Sequence, residues 1–160
     1  MTLRPMWSGR LLFLAIAITS TAVGCSPADF VDQTVIGTRV FAFLECIDCM
    51  SGERATVLRM GDSAVSSLRT ALVRGPDPRR IQILDSTLRL RLEAIRPGIA
   101  SRQVRAYRAS YIRRAADALG EIGGGQAISA LCLGRGNTPI GSANRNAIDS
   151  ALVRASGACP

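Results

Sequence analysis

The apolar residues of this chain recur at steps of three and four and never settle into sustained alternation. From Arg79 to Ile95, the residues Ile81, Leu84, Leu88, Leu92 and Ile95 fall on one face of a 3.6-residue helix, with Ile83 and Leu90 flanking it. No stretch alternates apolar and polar residues over a strand's length between turn signals. The fold class expected is therefore all-α. Hydrophobic residues make up 48% of the 160 and aromatic residues only 4%, so the core of a single domain must be built from Leu, Ile, Val and Ala.

Turn and cap residues divide the pattern into helices. Asp77-Pro78 supplies an N-cap and a first-turn proline, and Pro97-Gly98 a stop. Val104, Tyr107, Tyr111, Ala115, Ala118, Leu119 and Ile122 share one arc of a helix from about Ala100 to Glu121, which the triplet Gly123-Gly124-Gly125 ends. The two tyrosines sit on the apolar arc and read as core residues. Shorter helices are expected from Gly52 to Arg59 behind Ser51, and from Asp62, as cap, to Arg74 before Gly75-Pro76. Others are expected from Gln126 to Leu133, from Gly141 to Ala155, and from Phe30 to Glu45.

The chain also echoes itself. Ala64-Val65-Ser66-Ser67-Leu68 follows Gly61-Asp62, and Ala127-Ile128-Ser129-Ala130-Leu131 follows the glycine triplet. Each is preceded by a helix rich in small residues, in the second case Arg113-Arg114-Ala115-Ala116-Asp117-Ala118-Leu119-Gly120-Glu121-Ile122. These strings resemble the HEAT-like helical repeats of the short bacterial type, well from Arg113 to Leu131 and fairly from Glu53 to Leu72. The resemblance implies a short α-solenoid of stacked antiparallel helical hairpins over residues 30–160, of the kind that offers extended surfaces to proteins and peptides. The echoes lie 63 residues apart, more than one such repeat of ~40 residues, so a further helical pair is expected between them.

The N-terminus carries an address. Residues 1–24 hold Arg4, Arg10 and no acid, and between Leu11 and Ile18 runs an eight-residue apolar stretch followed by small residues. That is the three-part pattern of a secretory signal, and the apolar run is short for a membrane span. Ala22-Val23-Gly24-Cys25 resembles the lipobox of bacterial lipoproteins, with Ala22 where Leu is usual. The resemblance implies that Cys25 is linked to diacylglycerol, that residues 25–29 form a tether, and that the chain is lipid-anchored in the bacterial cell envelope, facing the periplasm or the outside. Ordinary signal cleavage, leaving Cys25 as a thiol, is the alternative.

With Cys25 acylated, Cys46, Cys49, Cys132 and Cys159 remain, an even number in an oxidising compartment. The favoured pairing is Cys46–Cys49 with Cys132–Cys159, cross-pairing being the other possibility. The CxxC has neither the βαβ setting of a redox motif nor a second close pair to complete a zinc site.

Charge completes the inventory. The chain has 20 Arg by count of its basic residues, no Lys and no His. The missing His removes imidazole acid/base chemistry and Ser-His or Cys-His nucleophile pairs, and no Gly-rich phosphate loop or carboxylate cluster replaces them. Ten Arg lie between Arg79 and Arg114 against Asp85 and Glu93. The function expected is non-enzymatic, without cofactor: a membrane-tethered module that binds a protein partner. The alternative is binding of an anionic envelope component, phospholipid or lipopolysaccharide, with Arg102, Arg105 and Arg113 as candidate anion-binding residues. Nucleic acid is not an expected partner, since no aromatic stacking platform is interleaved with the Arg.

Overall fold

The structure, a computed structural model, describes residues 27–46 and 52–160, with the side chains of the first helix from residue 35 onward. Among the described residues there are seven α-helices and no strand. They are α1 (Pro27–Glu45), α2 (Gly52–Met60), α3 (Asp62–Arg74), α4 (Pro78–Leu88), α5 (Ile99–Ile122), α6 (Gly124–Gly136) and α7 (Ala143–Arg154), and a π-helical turn (Arg89–Glu93) prolongs α4. The signal segment, the lipobox with Cys25, Cys49 and Ser51 lie outside the described residues.

Local chemistry sets most of the boundaries. The Asp77 carboxylate accepts the Arg79 N–H at 2.8 Å with Pro78 at the first helical position, as expected for the start of α4. The Ser142 hydroxyl caps α7 by accepting from the Arg145 N–H at 3.2 Å. Asp62, expected as a cap, instead occupies the first turn of α3. Gly61 is the capping residue and no side chain bonds there, so Asp62 acts on the helix dipole alone. α6 runs three residues past the expected Leu133, to Gly136.

The core is aliphatic and small. Val40, Leu44, Val57, Leu68, Leu119, Leu131 and Ile148 are its largest fully enclosed side chains, and Ala64, Ala115, Ala116, Ala127 and Ala151 fill the spaces between helices. α5 is its axis: it touches each of the other six helices. α3 packs on α6 and α2 on α5, while α7 lies along α5 and α6. Two of these contacts are close because glycine stands there. A Cβ on Gly120 would lie 2.9 Å from the Cα of Ala151, and one on Gly134 would lie 2.4 Å from the Leu72 Cδ2.

α4 departs from this scheme. Its backbone packs on no described helix but α5, and Ile81, its one buried residue, lies outside the central cluster. The single apolar face expected from Ile81 to Ile95 is broken: Leu84, Leu88 and Leu92 are half-buried, whereas Ile95 is 79% exposed and the flanking Leu90 86%. The π-helical turn is the physical reason. A turn closed by i→i+5 bonds holds an extra residue, so everything after it is rotated out of the α-helical register. The turn ends in a hairpin in which the Glu93 carboxylate accepts the backbone N–H groups of Gly98 (2.7 Å) and Ala100 (3.4 Å), satisfying two donors at the start of α5.

Candidate functional site

The seam between α4 and α5 has two sides, and one of them is a groove of about 590 Å3. Ile83, Leu84 and Leu88 of α4 form its apolar wall beside Thr87, and Gln103 of α5 lines it as well. The groove exists because the backbone of α4 packs on α5 and on no other described helix. No further described helix fills the angle between them, and Ile83 is left 65% exposed on the rim. Its volume lies in the range of small-ligand and side-chain pockets.

Three polar residues close the inner end. Glu45, the last residue of α1, accepts from Arg80 Nη1 at 3.0 Å and from the Tyr107 hydroxyl at 2.5 Å. The Arg80 guanidinium also lies over the Phe41 ring, 4.9 Å from its centroid. Burial, then donation to Glu45, pushes the Tyr107 phenol above its ordinary range. Burial again, followed by the Glu45 charge, raises that of Tyr111, whose ring centroid lies 6.2 Å from that of Tyr107. Tyr107 thus holds its proton and both Glu45 oxygens are engaged, which makes the trio a brace between α1, α4 and α5. Beside it, Arg114 Nη1 donates to the Leu44 carbonyl at 2.8 Å and satisfies an acceptor in the last turn of α1.

The opposite side of the seam is shallower and polar, lined by Gln82, Asp85, Ser101, Arg105 and Arg108. Of the three candidate anion-binding residues, Arg105 lines this side near Asp85, while Arg102 and Arg113 are exposed elsewhere on α5. Residues 102 and 113 are eleven positions apart, about 16 Å along a helix, so the three guanidinium groups do not converge on one point by their placement. Arg80 and the groove it closes were not singled out in the sequence. Only the charge run from Arg79 and the apolar positions 83, 84 and 88 pointed to this helix.

Cys132 on α6 and Cys159 in the C-terminal tail are bonded, with Sγ atoms 2.10 Å and Cα atoms 5.4 Å apart. Cys46 is disulfide-bonded as well. Cys25 and Cys49 fall outside the described residues, so the expected Cys46–Cys49 bridge is not described. No group of three or more His, Cys, Asp or Glu side chains among the described residues is arranged to hold a metal ion. Nor is any described helix long and apolar enough to cross a membrane.

Compared with known proteins, the chain matches no family model, and no curated protein or solved structure is similar to it.

Proposed function

We propose that this chain is a non-enzymatic binding module of the bacterial cell envelope, tethered through Cys25, which takes an apolar segment of a partner protein into the groove between α4 and α5. The observation that carries the reading is the groove itself: an apolar wall of Ile83, Leu84 and Leu88 that the described helices leave uncovered. Apolar anchors seated in such concavities dominate the energetics of protein interfaces. The braced inner end, where Glu45 pairs with Arg80 and accepts from Tyr107, keeps the cavity shaped before a partner arrives. The HEAT-like reading of the two echoes has support in the packing of α3 on α6 and of α2 on α5. This is the side-by-side contact that two stacked hairpins would make.

Site-specific crosslinking in intact cells tests the proposal. A photoreactive residue at Ile83 or Thr87 of the full chain should give one discrete protein adduct. The same residue at Arg74, on α3, should give none. Leu84→Trp, which fills the groove, should remove the adduct. Equal adducts from the Arg74 position, or persistence in the Leu84→Trp chain, would refute it.

The alternative, an anionic envelope component, has an observation of its own. The exposed Arg91, Arg96, Arg102 and Arg113 make no ion pair among the described residues.

A further inference from the structure

We infer that the tip of the α4–α5 hairpin is a second binding element, separate from the groove, which inserts Leu90 and Ile95 into an anionic lipid bilayer. The tip consists of the π-helical turn and the residues leading to Ile99. It carries two of the most exposed large apolar side chains among the described residues, Leu90 at 86% and Ile95 at 79%. The π-helical turn touches α4 and α5 and nothing else among the described elements, so the tip projects from the core and Leu90 and Ile95 are left uncovered by the described residues.

Charge selects the occupant. Every acid between residues 77 and 102 is committed within the chain. Asp77 caps α4, Asp85 pairs with Arg89 at 2.8 Å, and Glu93 accepts the Gly98 and Ala100 N–H groups. Arg91, Arg96 and Arg102 are exposed and form no ion pair among the described residues, so the tip presents net positive charge around two aliphatic side chains. This combination suits the boundary between acidic head groups and hydrocarbon, where basic residues stay in the polar layer and aliphatic ones enter the acyl layer. An acidic protein surface would match the charge and leave Leu90 and Ile95 without a hydrocarbon phase to enter. A convex tip without aromatic residues also lacks the anchors that protein interfaces favour.

The sole Trp of the chain, Trp7, makes a direct test possible. In the full chain carrying Trp7→Phe and Leu90→Trp, emission reports the tip alone, whatever the N-terminal segment does on a membrane. Vesicles of phosphatidylglycerol and phosphatidylcholine should shift the emission to the blue, and acyl-brominated lipid should quench it. Vesicles of phosphatidylcholine alone should do neither, even where the chain floats with them. Adding Arg91→Ala and Arg96→Ala should weaken the response about thirtyfold, the combined effect of two basic residues at an anionic surface. Far-UV circular dichroism establishes that each variant is folded. Emission at position 90 that is unmoved by anionic vesicles overturns the inference, as does an equal response to neutral ones. A shift with polyglutamate and none with vesicles would reassign the tip to an acidic protein. None of these outcomes alters the crosslinking expected from Ile83, so the two proposals fail separately.

Discussion

Replacing Gly120 by Ala sets two effects against each other with known signs. Gly120 lies inside α5, where Ala is favoured by about 1 kcal/mol on backbone entropy and helix propensity. The added Cβ would stand 2.9 Å from the Cα, Cβ and carbonyl O of Ala151 on α7, inside the 3.4 Å at which ordinary contact begins. Two of those three atoms belong to the backbone, so no rotamer change relieves the clash and α7 itself must move. Overpacking of this kind costs about 1–3 kcal/mol, and a backbone obstacle places this case toward the upper end. The expected balance is a net loss of about 1–2 kcal/mol, or roughly 3–6 °C in Tm for a chain of this length. Urea unfolding followed by far-UV circular dichroism measures it. The double variant Gly120→Ala with Ala151→Gly should recover part of the loss, since it removes one of the three contacts, and the cycle isolates the coupling. A Gly120→Ala chain more stable than the parent would refute the close crossing of α5 and α7.

Other expectations follow from the same geometry. Gly134→Ala would meet the Leu72 side chain, with Cδ2 at 2.4 Å and Cγ at 2.7 Å, instead of backbone. It should therefore cost less than Gly120→Ala, about 1 kcal/mol or below, in the same urea assay. Cys132→Ser with Cys159→Ser removes a bridge spanning 27 residues and should lower stability by about 3 kcal/mol on the chain-entropy account, read as a lower urea midpoint. Tyr107 and Tyr111 both have folded-state pKa values raised above the ordinary phenol value of 10.0, so the folded chain holds those protons more tightly than the unfolded one. The stability they contribute is complete below about pH 10 and is lost as pH rises through the folded values, with no Lys titrating in the same range. Urea midpoints should fall on going above about pH 10, and Tyr107→Phe should flatten that fall.

The helices were legible in the sequence to within a few residues because caps and glycines act locally. Asp77-Pro78 begins α4 and Gly123, at φ +64°, ends α5, where the chain alone dictates the conformation. The groove was not legible. Leu84 and Leu88 read as core positions of an amphipathic helix with Ile83 flanking them, and periodicity says which residues share a face without saying whether anything will cover it. Cover depends on how many helices pack on α4, which is a tertiary matter, and among the described helices only α5 packs on its backbone. The break after Leu88 was equally hidden. Arg-Leu-Arg-Leu-Glu carries no proline or glycine to announce a π-helical turn, and that one extra residue turns Ile95 from an expected core position into an exposed one.

Because α5 meets every other described helix while the backbone of α4 packs on it alone, with only the Arg80 side chain reaching α1, the domain is expected to open in two stages. Loss of α5 would dissolve everything together. The α4 arm can detach at the cost of its α5 interface and of the Arg80 contacts to Glu45 and Phe41, and re-form, exposing the groove's inner wall while the remaining helices stay folded. Amide hydrogens of residues 78–93 should accordingly exchange well before those of 111–122, and a partner bound across the α4–α5 seam would slow the first set and leave the second untouched.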